Sequence, residues 1–454
     1  MDCISVVLAA GEGTRMKSKK SKVLHEAAGL PILEWVLRAV RAVDTKKNIL
    51  VLGRAIEEVK AVYGGGVLYA EQKERLGSGH AVMSARGHLE GFHGYTLIVA
   101  GDMPLLTGET ITRLAEETQQ GGYDCMLLSA ELQNPFGYGR VIRNEAGDVT
   151  AIVEEKDATE QQRLIAEVNA SCYCVKNDVL LKCLDRLEPK NAQNEYYLTD
   201  IVELINGDGG RVGAVTAADY RECMGVNDRA QLAEVSGILR GRINVAHMKN
   251  GVSILDPQAT YIGPDVTIGQ DTVVYPGVVL EGRCSIGGDA VLYPGSRIKD
   301  STIGDKTTVQ NSVMLDAKVG EGSTIGPYAY LRPGTEVGDH CRIGDFVEVK
   351  NSSIGDGTKV SHLTYIGDAD FGKDINVGCG VVLVNYDGKG KYRSRVGDGA
   401  FIGCNTNLVS PVEVGEGAYI AAGATITEDV PPNSLAIARA RQVNKTGWKD
   451  KREK

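Results

Sequence analysis

The sequence predicts an α/β protein in two parts: a mostly parallel sheet with helices on both faces, then a parallel β-helix. Two observations carry this. From about residue 252 an aliphatic residue recurs every six positions, very often with Gly next to it, whereas the first 227 residues alternate strand-like and helical runs. Composition is a third: 56 of 454 residues are Gly, against an average of roughly 7%, while Phe and Trp number only 5 and 2.

The repeat begins Ile262, Ile268, Val274, Leu280, Ile286, Leu292, Ile298 and resumes at Val319, Ile325, Leu331, Val337, Ile343, Val349. It continues through Ile354, Val360, Ile366, Phe371, Val377, Leu383 and, after a break, Val396, Ile402, Leu408, Val414, Ile420, Ile426. A six-residue period fits neither an α-helix nor an alternating strand. It fits a short strand plus a tight turn, with one aliphatic side chain per unit pointing inward and a small residue at the corner. Three units close a triangular coil, and coils stack about 4.8 Å apart as parallel strands. A β-sandwich would require the phase of more than twenty units to be coincidence. Between Leu383 and Val396 the spacing jumps, so VNYDGKGKYRSR (384–395) leaves the prism as a basic loop. Such a loop is either a tolerated insertion or a functional element.

In the first part, strands are expected at 4–9, 48–53, 95–102 and 124–132, with helices at 31–43 and 108–120. Strands alternating with helices give a parallel sheet that binds ligands at its carboxyl edge. Leu232, Val235, Leu239, Ile243 and Ala246 share one helical face, which predicts a connecting helix. The expected organisation is a first domain 1–227, a linker helix 228–251 and a second domain 252–454 whose basic tail is mobile beyond the last coil.

A net charge of −9 argues against a nucleic-acid or anionic-membrane surface. No apolar run is long enough for a membrane helix, and MDCISVVLAAGEGTRMKSKK lacks the charge order of a signal peptide. A cytoplasmic location is expected. The ten cysteines form no CxxC pair and read as free thiols.

Chemistry concentrates in two places. LAAGEGTRM (8–16) turns sharply after the first strand, with Arg15 and Lys22 nearby; a Gly-rich turn with cations suits phosphate, though a plain strand-to-helix turn has the same look. It is neither GxGxxG nor a Walker A loop. In the prism, RPG (332–334), EVK (348–350), SHLTYIGD (361–368), INVGCG (375–380) and VNYDG (384–388) recur about one coil apart. His362 is a candidate general base there, since an imidazole titrates near 6.5 and accepts a proton at neutral pH. Glu348 is a candidate for orienting it.

The string LAAGxGTRM followed by KVLH resembles the sugar-phosphate nucleotidyltransferases, as do Gln72, LGSGHA (76–81), AGDMPLL (100–106), GYGR (137–140), VEEKD (153–157), Asn169, EYYLTD (195–200) and GVND (225–228). With the hexapeptide half, the chain over 3–448 is similar to the family that joins an N-acetylglucosamine-1-phosphate uridylyltransferase to a glucosamine-1-phosphate N-acetyltransferase. The resemblance implies a Rossmann-like nucleotidyltransferase domain followed by a left-handed parallel β-helix of hexapeptide repeats. It implies acetylation of glucosamine-1-phosphate by acetyl-CoA, then Mg²⁺-dependent transfer from UTP to N-acetylglucosamine-1-phosphate, giving UDP-N-acetylglucosamine. It assigns Arg15 and Lys22 to phosphate chemistry and Asp102 and Asn227 to Mg²⁺. Leu8, Ala9, Ala10, Gly11, Gln72, Gly77, Ser78, Ala100, Gly101 and Asp102 would hold the nucleotide, and Gly139, Glu154 and Asn169 the sugar. His362 would be the base. Arg332, Lys350, Tyr365 and Asn376 would bind glucosamine-1-phosphate, and Cys379, Asn385, Tyr386, Cys404, Ala422 and Arg439 acetyl-CoA. A homotrimer is implied, because pockets arise where prisms pack side by side.

There are departures. Ser21 stands where the family usually has Pro, which is expected to loosen the loop before Lys22. Ser78 replaces a commoner Thr, Cys379 an Ala and Cys404 a Ser. Other readings remain: a nucleotidyltransferase whose hexapeptide domain only assembles it, as in ADP-glucose pyrophosphorylase-like proteins; a non-catalytic assembly protein; or acetyl transfer through a cysteine acyl-enzyme.

Overall fold

The computed structural model describes residues 2–449; Met1 and residues 450–454 of the basic tail lie outside them. Two compact units, 1–239 and 240–454, divide the chain inside the helix Arg229–Lys249.

In the first unit the expected strands form as Cys3–Leu8, Asn48–Leu52, Tyr95–Ala100 and Cys125–Glu131. Cys3 and Val7 pack into one core cluster, with the helices Ile32–Arg41 and Gly108–Gln120. Ile4 and Val6 pack into another, with the helices Asn177–Leu184 and Ile201–Gly207. Alternation along the strand is therefore what puts helices on both faces. The sheet order is Val212–Thr216, Cys125–Glu131, Glu167–Lys176, Tyr95–Ala100, Cys3–Leu8, Asn48–Leu52, Leu68–Glu71. The sheet is mixed: Glu167–Lys176 runs antiparallel to both neighbours, and the hairpin Arg140–Arg143 with Val149–Val153 extends from it. Adjacent strands 68–71, 48–52, 3–8 and 95–100 all end at one edge, where Gln72, Gly53, Ala9 and Gly101 begin the loops.

The second unit is the β-helix. Every aliphatic position named in the repeat is buried except Ile268, which is half-buried and packs against the same core. The gap left by the six-residue count is filled by Ile303, Val309 and Met314, also buried. They break the count because some units have five residues. Coils therefore close in 18 residues at Val274 and Leu292, 17 at Ile286 and Ile303, and 16 at Val309 and Ile325. Buried hydroxyls clip coil to coil: Thr272, Thr307, Ser323 and Thr358 donate to the carbonyls of Gly287, Gly320, Gly338 and Gly372 at 2.7–2.9 Å. Phe371 pairs with Val396, 25 residues on, so the loop does leave the prism.

The connecting helix departs from its expected face at one residue. Val235 and Leu239 are buried and Ile243 packs on the β-helix core, but Ala246 is exposed. Asn244 turns inward instead, because its amide donates to the carbonyls of Pro257 (2.8 Å) and Thr260 (3.1 Å) at the start of the first coil.

In the first unit the short turn Leu198–Asp200 leads into helix Ile201–Gly207. Burial, then the nearby carboxylates of Glu203 and Asp157, pushes the Asp200 carboxyl up to about 6. An unfolded Asp titrates near 3.9. The folded state binds the extra proton between these values, so its stability falls as pH rises from about 4 to about 6. Asp200→Asn is expected to raise the melting temperature of this unit above about pH 7 and to have little effect near pH 4. Fluorescence of Trp35, which is partly buried in this unit, reports the transition. An equal gain at both pH values would contradict the assignment.

Candidate active sites

Three side chains from distant sequence meet at the sheet edge of the first unit. The Lys22 ammonium donates to Asp102 Oδ2 at 2.6 Å and to Asn227 Oδ1 at 3.2 Å. Lys22 is buried, and it reaches this place past Gly13, whose φ is +61° and where an added Cβ would lie 2.6 Å from Lys22 Cβ. Asp102 follows the strand Tyr95–Ala100, and its carbonyl accepts the Val226 N–H at 2.9 Å. Asn227 is fixed by its own N–H donating to Gln231 Oε1 at 2.8 Å. Arg15 is exposed on the turn Thr14–Met16 and makes no ion pair among the described residues.

The loop before Lys22 carries a tether of its own. Ser21 has φ −53°, close to what Pro would impose, and its N–H donates to the Glu58 carboxylate at 3.1 Å. Pro has no N–H to donate there, so the substitution adds a contact. A cavity of about 290 Å³ opens beside this loop, lined by Ala9, Ala10, Gly11, Lys19, Gly53 and Glu58 among others.

Next along the edge, Gln72 donates to the Gly77 carbonyl at 3.1 Å. Gly77 has φ +109°, and an added Cβ would lie 2.5 Å from the Tyr196 carbonyl. Ser78 Oγ accepts the Leu198 N–H at 3.0 Å, so its hydroxyl oxygen ties in the EYYLTD segment. Gly139, Glu154 and Asn169 come together: the Asn169 N–H donates to the Gly139 carbonyl at 2.8 Å, and a Cβ on Gly139 would lie 3.4 Å from Glu154 Oε1. Asn169 is buried, and its amide donates to Tyr173 Oη at 2.7 Å. Burial raises the Glu154 carboxyl above its usual range.

In the second unit, His362 Nδ1 lies 2.8 Å from Asp345 Oδ1. The two residues pair in register across adjacent coils, on the long strands Arg342–Lys350 and Lys359–Gly367. This hydrogen bond holds the Asp345 carboxyl below its usual range. The expectation that Glu348 orients the histidine is wrong. Glu348 is paired with Arg332 at 2.7 Å, which raises the guanidinium pKa. Counting back one coil of 17 residues from His362 finds Asp345, which lies outside the EVK (348–350) motif.

The same corner continues upward. Gly380 N–H donates to the Leu363 carbonyl, Asn405 N–H to the Cys379 carbonyl and Gly423 N–H to the Cys404 carbonyl, at 2.7–3.0 Å. Asp345, His362, Cys379, Cys404 and Ala422 therefore form one column, and Arg439 Cδ would lie 3.8 Å from a Cβ on Gly423 beside it. Cys379 and Cys404 are exposed, whereas the other eight cysteines are buried and all ten are unpaired.

On the adjoining face, Tyr330, Glu348 and Tyr365 align in successive coils, and Arg332 stands beside Lys350 through its N–H to the Val349 carbonyl. Asn385, at the foot of the inserted loop, lies within 3.5 Å of Tyr365 Oη. Tyr386 is exposed and bridges to Lys391 within the loop. Lys391 was not among the sequence candidates. Its ammonium lies against that of Lys350, which lowers its pKa. Two facing ammonium groups call for an anion between them. Asn376 is exposed, with no side-chain partner among the described residues.

Comparison with known proteins finds matches in both units. Residues 5–169 match the MobA-like NTP transferase domain, and 316–351 and 393–428 match the bacterial transferase hexapeptide model of six repeats. A bifunctional protein GlmU of Clostridium novyi is 53% identical over 445 residues, covering 98% of this chain and 97% of its own. Those of Acetivibrio thermocellus and Geobacillus thermodenitrificans are each 50% identical, over 99% and 98% of this chain and 97% of their own. With both catalytic halves matched end to end, the chain belongs to the bifunctional GlmU family.

Proposed function

We propose that the two sites act in series on one sugar phosphate, the second unit acetylating glucosamine-1-phosphate and the first coupling the product to UTP. The observation that supports this reading is that each unit holds its own hydrogen-bonded cluster of polar side chains: Lys22 with Asp102 and Asn227 in one, His362 with Asp345 in the other.

For acetyl transfer, the sugar phosphate group binds between Lys350 and Lys391, with Arg332 nearby, and Tyr365 and Asn385 border the ring. Asp345 accepts the Nδ1 proton of His362, which leaves Nε2 bare to take a proton from the sugar amine. The amine attacks the thioester carbonyl, the C–S bond breaks, and the departing sulfur takes the proton back from His362, so that CoA leaves as the thiol. Acetyl-CoA lies along the column of Cys379, Cys404 and Ala422, reaching Asn385, Tyr386 and Arg439. The amine is itself the nucleophile, so the exposed cysteines need form no acyl-enzyme.

For uridylyl transfer, a phosphate oxygen of N-acetylglucosamine-1-phosphate attacks the α-phosphorus of UTP and pyrophosphate leaves. Such transfer depends on positioning and charge neutralisation. Lys22 is held in place for this, and Arg15 is free to meet the phosphates. Asp102 and Asn227 already present two hard oxygens to a cation, the Lys22 ammonium, and that donor pair fits Mg²⁺. Mg²⁺ held by Asp102 and Asn227 would supply charge neutralisation at the phosphates. The sheet-edge residues 8–11, 72, 77–78 and 100–102 hold the nucleotide, and Gly139, Glu154 and Asn169 the sugar.

A homotrimer through the prism is part of the proposal. Tyr328, Phe346 and Leu363 stack in successive coils at φ of 60°, 56° and 43°, each more than half exposed. Gly380, Asn405 and Gly423 take that corner in later coils. Large apolar side chains in left-handed backbone are strained, and a neighbouring prism would cover them. No helix among the described residues is long and apolar enough to cross a membrane. The co-substrates UTP and acetyl-CoA favour the cytoplasm.

The test is a mass-spectrometric drop-out assay with glucosamine-1-phosphate, acetyl-CoA, UTP and Mg²⁺. The full mixture should yield UDP-N-acetylglucosamine, and omission of UTP should yield N-acetylglucosamine-1-phosphate. If the latter never forms while adding it restores the UDP-sugar, the prism is a scaffold. Two variants divide the activities. His362→Ala is expected to slow acetylation by about 10²–10⁴-fold and leave uridylyl transfer intact; Lys22→Ala should do the reverse. Loss of both activities in either variant would contradict separate sites.

A further inference from the structure

Corners of the prism that take a left-handed backbone often carry Asp, which tolerates that conformation. Asp271, Asp289, Asp300, Asp316 and Asp374 do so at φ between 47° and 62°, and all five are exposed. Asp368 has the same backbone, at φ 52°, but is only 7% exposed. A buried carboxylate needs partners to offset its desolvation.

Asp368 has them from the coils on either side. Asn351, Asp368 and Asn385 are spaced 17 residues apart, one coil each. Asn351 Nδ2 donates to Asp368 Oδ1 and Asn385 Nδ2 donates to Asp368 Oδ2, both at 2.6 Å. The Asp368 carbonyl accepts the Ser394 N–H at 3.1 Å. Asn385 and Ser394 flank the inserted loop, so one residue holds both of its feet. Burial by itself would raise the carboxyl, but the two amides, with the ammonium groups of Lys350 and Lys391, hold it below its usual range.

We propose that Asp368 is a positioning residue for acetyl transfer: it pins the inserted loop to the prism and sets Asn385 and Lys391 against Tyr365 and Lys350, where the sugar phosphate binds. This rests on the acetyl-site reading above. The carboxylate does not react. Its negative charge lies beside the two facing ammonium groups, and its two oxygens fix the loop that brings one of them.

Asp368→Asn keeps the size, removes the charge and turns an amide toward the Asn385 donor. In the full-length protein it is expected to raise KM for glucosamine-1-phosphate about tenfold or more, with a smaller change in kcat. Uridylyl transfer by the same molecules should be unchanged, as should both activities in Asp316→Asn. Trypsin should cut the variant faster after Lys389 and Lys391, read by mass spectrometry. Asp368→Glu, which keeps the charge, should lose less affinity than Asp368→Asn. The proposal is overturned if KM stays within twofold of wild type, if loop cleavage is unaltered, or if uridylyl transfer falls in parallel. A wild-type protein that does not acetylate glucosamine-1-phosphate would instead remove the acetyl-site reading itself.

Discussion

The acetyl-transfer half depends on parallel stacking of coils in near-constant register. A residue 16–18 positions away in sequence is a neighbour in space. Inward positions are filled by aliphatic side chains and clipped by buried hydroxyls, so the coil has little freedom to slide. Outward positions are then addressable one coil at a time. Asp345 beneath His362, Glu348 beside Arg332, and the Asn351–Asp368–Asn385 ladder are all products of this register. An insertion is tolerated if its two ends return to the stacking distance, and Phe371 pairing with Val396 shows that they do.

The first unit solves a different problem. The groups proposed to react there come from residues 22, 102 and 227, which no local repeat brings together. The parallel sheet does so by ending four neighbouring strands at one edge. Small residues leave room for close approach there: Gly13 lets Lys22 pass, and Gly77 lets the Tyr196 carbonyl come near. A buried ammonium facing a carboxylate and an amide oxygen is a charged arrangement that needs no metal to hold together, yet its oxygens suit one.

Much of this was legible in the sequence because both periods are strong. The six-residue spacing located nearly the entire β-helix core, and apolar runs located four strands of the first unit to within one or two residues. What was missed has physical reasons. The antiparallel strand Glu167–Lys176 has no distinct composition, since direction is set by partners. Asn244 was hidden because a polar residue turned inward breaks an apolar pattern, and Ala246 was wrongly placed inside for the same reason. Asp345 and Lys391 were missed because their importance lies in contacts with His362 and Lys350. Motif matching sees the residues of one segment, whereas these contacts cross coils or join a loop to the prism. The Ser21 contact was not foreseen because a lost proline also restores a donor, and its acceptor, Glu58, is 37 residues away.

The claim that coil register builds and aims the acetyl-transfer base is tested most directly by the tautomer of His362. Nitrogen-15 NMR of the histidine-labelled protein, with the His362 signals assigned by comparison with His362→Ala, distinguishes the two ring nitrogens. At a pH where the ring is neutral, the account predicts a proton on Nδ1, shared with Asp345, and a bare Nε2. A proton resting on Nε2 would contradict it, because the nitrogen proposed to act as base would then have no lone pair to offer.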